Sequence, residues 1–141
     1  MDKHPETIFT KIIAREIPAN IIYEDDQLLA FLDIQPVNPG HTLIIPKQVF
    51  VNIFDSEPTY LQEMILLARK ISRSLKETGL ATGVNIVMNS GEEAGQEIPH
   101  AHLHVIPRLA DDGKALPFGH TEVTPEAQAE TAARLRAALA N

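Results

Sequence analysis

The chain has 141 residues, 44% of them hydrophobic and 22% charged, with no cysteine and a formal net charge of −7. That length fits one domain with a single core, and the lack of cysteine excludes disulfides and thiolate metal sites and suits the reducing cytoplasm. The acidic balance argues against nucleic acid as a partner, because phosphate backbones select basic surfaces.

Met1-Asp-Lys-His-Pro5 lacks the apolar core of a signal peptide, and no apolar run nears the roughly 20 residues of a membrane span, so no membrane partner is expected. Ile8, Phe9, Ile12 and Ile13 are spaced for a helix over Thr7 to Glu16, stopped by Pro18. Three β-rich runs follow, Ile21–Glu24, Leu28–Ile34 and His41–Pro46, joined by Asp25-Asp26 and by Pro36-Val-Asn-Pro-Gly40. Connections this short make neighbouring strands antiparallel. Asp55 or Ser56 is placed to cap a long helix reaching about Thr78, with Leu61, Met64, Ile65, Ala68, Ile71 and Leu75 as its apolar stripe and Gly79 as its stop. Lys70, Arg73 and Lys76 on the same helix read as a solvated face. Two more strands are expected, Val84–Asn89 and Ala101–Pro107, separated by a loop from Ser90 to Pro99. Asp111-Asp112-Gly113 makes a turn, and Thr124-Pro125-Glu126 opens an Ala-rich helix over about 124–140. Strands grouped on either side of one central helix predict an α+β fold with an antiparallel sheet of about five strands, in a single domain spanning 1–141.

His100-Ala-His102-Leu-His104 concentrates three of the six histidines in five residues. In an extended strand, residues two apart share a face at about 6.6–7 Å, so the three rings would point together while Leu103 and Val105 face the core. A lone buried histidine is usually structural, but three at this spacing point to chemistry. Zinc binding is one option, with two of these rings and a third ligand from His41, Glu92, Glu93 or Glu97. Nucleophilic attack by an imidazole on phosphorus is the other, and it needs donors for the phosphoryl oxygens. Gly91, Gly95 and Gln96 just before the run, with their backbone N–H groups, and the amide of Asn89 favour the second option.

The pattern of His100 to Ile106 resembles the signature of the histidine-triad superfamily, His-φ-His-φ-His-φ-φ. Ile8-Phe-Thr-Lys-Ile-Ile-Ala-Arg-Glu-Ile-Pro18, Ala30-Phe-Leu-Asp-Ile34, Pro39-Gly-His-Thr-Leu-Ile-Ile-Pro-Lys47 and Ala94-Gly-Gln-Glu-Ile-Pro-His100 resemble its other blocks in the same order, covering about residues 7–108. The likeness is greatest to the purine nucleoside phosphoramidase branch and its bacterial relatives. It implies that His102 is the nucleophile, that His104 donates to the phosphate, and that His100 orders the site. Main-chain carbonyls would hold His102 in its attacking tautomer. It further implies phosphate contacts at Asn89, Gly95 and Gln96, a ribose-binding carboxylate at Asp33, and an apolar slot for the base from Phe9, Ile17, Phe31 and Ile34. His41 matches a family histidine near the triad and is expected to extend a hydrogen-bond chain to His100 or to cap its strand. His4 and His120 match nothing and are assigned to the surface.

The implied activity is cleavage of purine nucleoside phosphoramidates or related conjugates through a nucleotidyl-histidine, without metal or other cofactor, in a cytoplasmic homodimer. A dinucleoside polyphosphate hydrolase, a regulatory nucleotide binder with vestigial activity and a zinc hydrolase are the rivals. Two features depart from the branch. Glu97 stands where a hydroxyl residue usually touches the phosphate or the leaving group, and a carboxylate facing phosphate would repel it. The segment after Arg108, with its added helix, also differs, which leaves the leaving group open.

Overall fold

A reciprocal cap sets the first element. The Thr7 hydroxyl accepts from the N–H groups of Phe9 and Thr10, and the Thr10 hydroxyl accepts from the Thr7 N–H, satisfying donors that a helix start leaves open. The helix α1 covers Ile8–Ile13 and is shorter than expected. Arg15 turns to a φ of 63°, and the Glu16 and Ile17 N–H groups both bond to the Lys11 carbonyl, so the helix closes ahead of Pro18. The computed structural model of the protein describes residues 4–114 and 121–140. His4 is exposed, as assigned, while His120 lies outside the described residues.

Five strands form one antiparallel sheet, β1 (Ile21–Glu24), β2 (Leu28–Leu32), β3 (Thr42–Pro46), β4 (Gly83–Val87) and β5 (Leu103–Arg108), in the order β1-β2-β3-β5-β4. The Asp25 carboxylate accepts the Gln27 and Leu28 N–H groups and so builds the first turn. β2 stops at Leu32, not at Ile34, because Asp33 Oδ1 takes the Gln35 N–H and peels the chain from the ladder. β5 begins at Leu103, not at Ala101: the Ala101 N–H bonds to the Phe50 carbonyl and the His100 N–H to the Ile98 carbonyl. Likewise β3 begins one residue after His41, and β4 ends at Val87, short of Asn89.

The long helix α2 spans Pro58–Glu77. Neither expected cap forms: the Asp55 carboxylate accepts from Val51 and Asn52, the Ser56 hydroxyl donates to the Asn52 carbonyl, and Glu57 stands at the N-cap without a side-chain bond. Its buried stripe is Met64, Leu67, Ala68, Ile71 and Leu75, so Leu67 replaces the expected Ile65, which is 50% exposed. Lys70, Arg73 and Lys76 are exposed as expected.

Period-2 alternation splits the sheet into two apolar faces. Leu28, Ala30, Ile44, Leu103 and Val105 pack under α2. Leu29, Phe31, Leu43 and Ile45 pack on the other side with Phe9 and Ile12 of α1. Gly40, at φ 96°, sits tight against the α2 side: a Cβ there would lie 2.8 Å from Leu75 Cδ2. The last helix, α3 (Pro125–Leu139), starts where the Thr124 hydroxyl accepts the Ala127 N–H and buries none of its residues. Among the described residues, no helix is long and apolar enough to cross a membrane.

Candidate functional site

The three histidines do not line one strand. Only His104 belongs to β5, and the turn at Ile98–Ala101 bends the chain just before it. They still converge on α1. The Phe9 ring stands 5.7 Å from His100 and 5.0 Å from His102, and His102 stands 5.0 Å from His104.

Hydrogen bonds fix each ring's tautomer. His102 Nδ1 lies 2.8 Å from the His100 carbonyl, which can only accept, so Nδ1 carries the proton and Nε2 keeps a free lone pair. His100 donates from Nε2 to the Pro46 carbonyl at 2.8 Å, leaving its buried Nδ1 without a partner among the described residues. The Val37 N–H donates to His41 Nδ1 at 3.0 Å, so the His41 proton is on Nε2. That nitrogen lies 3.0 Å from His104 Nδ1, which must accept and leave the His104 proton on Nε2. His41 therefore pairs with His104, and of the two expected roles, a chain to His100 or a strand cap, the first does not form. Burial lowers the pKa of all four rings from the ordinary imidazole value. His104 is pushed down to about 4, first by burial and then by the neighbouring His102 and His41. All four are neutral near pH 7.

Asp33, His41 and His104 place one ligand atom each within 4.8 Å of one another, a grouping that suits a metal by distance. The donor chemistry does not suit it. A ligating histidine normally donates its other N–H outward, whereas His41 receives the Val37 N–H and so keeps a proton on the nitrogen a metal would need. Glu92, Glu93 and Glu97 are not part of this group.

The histidines open into a cleft of 560 Å³ lined by Phe9, Ile17, Phe31, Asp33, Ile34, Asn89, Gly95, Glu97, His102 and His104, among others. Every expected contact residue therefore lines it except Gln96. The Gln96 amide donates to the Val51 and Ile98 carbonyls and accepts from the Gly91 N–H and the Asn52 amide. It is a staple between two loops. The expected cradle of open N–H groups is absent here as well, because Ala94, Gly95 and Gln96 donate within the 3₁₀ turn Glu92–Ala94 and its flanks. Asn89 takes no part in any hydrogen bond among the described residues and keeps its amide for the cleft. Asp33 turns Oδ2 to within 3.7 Å of His41 Nε2, and Ile34 stands at the lip, 82% exposed. A second hollow of 450 Å³ lies between β1 and α2 and contains no histidine.

Sequence reasoning missed the strut behind His41. The Asn38 amide donates to the Pro107 carbonyl and to Asp112, both at 3.0 Å, and Arg108 grips Asp112 at 2.8 and 3.0 Å. The Arg108 guanidinium holds the Asp112 carboxyl well below the usual carboxylate range. This ties the loop carrying the Val37 N–H to the end of β5. The partners are 74 residues apart, so only the turn-forming Pro36-Val-Asn-Pro-Gly40 beside His41 hinted at it.

Residues 14–111 match the HIT domain family. An uncharacterized HIT-like protein of Methanocaldococcus jannaschii is 45% identical over 115 residues, covering 82% of this chain and 88% of that protein. The crystal structure of SMU.412c from Streptococcus mutans superposes with a TM-score of 0.88 at 35% identity, covering 97% of this chain and 87% of the other. A histidine triad nucleotide-binding protein from Candida albicans gives a TM-score of 0.83 at 30% identity, covering 96% and 98%.

Proposed function

The chain belongs to the HIT family, and from that premise we propose that it is a nucleotide hydrolase in which His102 attacks the α-phosphorus of a purine nucleoside 5′-phosphoramidate. The observation that carries this is the pairing of a free Nε2 lone pair on His102 with an Nε2–H donor on its neighbour His104. The lone pair forms the N–P bond, the P–N bond to the leaving amine breaks, and the amine departs as it takes up a proton. The adduct leaves a positive charge on the His102 ring, and the His100 carbonyl, already accepting from Nδ1–H, stabilises it. Water then displaces His102 and releases the monophosphate.

His104 Nε2–H and the Asn89 amide are fixed donors for the phosphoryl oxygens, acting without reorganisation. His41 is a positioning residue that sets the His104 tautomer, and the His100 ring anchors the turn to Pro46. Asp33 accepts the ribose hydroxyls. Phe9, Ile17, Phe31 and Ile34 enclose the base. A homodimer belongs to the same reading: among the described residues β4 has an unpaired outer edge carrying Ile86 at 38% exposure, and α3 has no buried residue.

Brief mixing with an adenosine phosphoramidate, followed by mass spectrometry, is expected to find an acid-labile adenylyl group on His102. No adduct, together with unchanged turnover in His102→Ala, would sink the mechanism.

A further inference from the structure

The charged side chains lining the cleft are all of one sign. Among the described residues they are two carboxylates, Asp33 and Glu97, with no lysine or arginine. The histidines contribute no charge, and the ion-paired cations Arg15, Lys47 and Arg108 are engaged elsewhere with Glu24 and Asp112. Asp33 already accepts the Gln35 N–H and faces His41. Glu97 is exposed and makes no ion pair or hydrogen bond among the described residues. Gln96 is stapled inward to Val51, Ile98 packs against the apolar cluster under α1, and the residue between them is exposed and lines the same cleft as His102 and His104.

We propose that Glu97 is a specificity-determining residue for a leaving amine that carries a second, protonated nitrogen, a diamine-type conjugate of the nucleoside phosphate. This specificity presupposes the hydrolase reading above and sharpens it. A polyphosphate leaving group brings several negative charges to a carboxylate that has no counter-charge in the lining, and like charges at this range repel. A plain alkylamine gives Glu97 nothing to bind. An ammonium a few bonds beyond the scissile nitrogen pairs with it directly.

Three adenosine 5′-phosphoramidates of equal chain length test this, made with 1,4-diaminobutane, butylamine and 4-aminobutanoate. The protein is expected to turn them over in that order, with kcat/KM changing roughly 2–5-fold at each step, the range of a solvent-exposed ion pair. The spread narrows with added salt. Glu97→Gln collapses it to within about twofold, and Glu97→Lys reverses the order, with melting curves checking that both variants fold. An unchanged spread in Glu97→Gln overturns the proposal. Calorimetric binding of the same compounds to His102→Ala protein reads the preference without chemistry. Equal affinities there overturn the role of Glu97 whatever the turnover shows, whereas a charge-ordered affinity without any wild-type turnover overturns only the hydrolase reading.

Discussion

The two faces of the sheet use burial for opposite ends. Under α2, the core side chains are apolar from Met64 and Leu75 on the helix to Ile44 and Val105 on the strands, and the buried Thr42 donates its hydroxyl proton to the Gly40 carbonyl. Under α1, Phe9, Phe31 and Leu43 are just as buried, but the same side holds the rings of His100 and His102, which are 0% and 8% exposed. Removing apolar surface from water stabilises the first face by about 25 cal/mol per Å². On the second, burial also disfavours the charged imidazole, so part of the packing keeps bases neutral. Buried polar rings must then be matched by hydrogen bonds, and here the carbonyls of Pro46 and His100 and the N–H of Val37 supply them for all but the Nδ1 of His100. One face holds the molecule together, and the other holds lone pairs and protons in place.

Substitutions should separate the two. His102→Ala is expected to cost at least roughly 10⁴-fold in turnover, the scale of losing a nucleophile, while changing the unfolding free energy far less than that activity loss. A comparable loss on both axes would erase the contrast. Met64→Ala should do the reverse, lowering stability by about 2–5 kcal/mol while kcat at a temperature below melting stays within about threefold.

Acidification addresses the α1 side selectively. The unfolded chain takes up protons near the ordinary imidazole value of 6.5, but the folded His104 does so only near 4. Between these values the unfolded state binds more protons, so stability is full above about pH 6.5 and is lost as pH falls toward 4, at about 1.4 kcal/mol per unit of difference. His104→Gln should flatten this slope in urea melts between those values, and parallel curves for the two proteins would contradict the assignment. The smallest effect is expected for Asp33→Asn, which should weaken nucleotide binding by about 1–3 kcal/mol. Calorimetry showing full affinity would remove Asp33 from the ribose site.

How far each region was legible in the sequence follows the same division. The α2 side rests on local periodicity, so β1 is found at its expected ends and the helix stripe is off only where Leu67 replaces Ile65 and where Leu61 is half-buried. The α1 side rests on long-range bonds. The start of β5 moved because Phe50 captures the Ala101 N–H, and Gln96 proved a staple because Val51 and Asn52 surround it. No local pattern encodes such partners. The pairing of His41 with His104 was invisible for the same reason, although both residues were identified by type and spacing. Resemblance located the HIT region at about residues 7–108, near the matched 14–111, because motif identity survives where register does not.

The hydrogen-bonded row from Val37 through His41 to His104 ends on a peptide N–H. A peptide N–H does not give up its proton at physiological pH, so nothing behind His41 can replenish one. If His104 surrendered its Nε2 proton, His41 would have to pass its own forward and be left as an imidazolate. In the proposed hydrolysis His104 would therefore serve as a fixed dipole, and the proton that leaves with the amine would have to arrive with the substrate or from water in the cleft. Proton supply for the proposed reaction would then be a property of what enters the site, and a leaving group that carries its own acidic hydrogen would not depend on the protein for it.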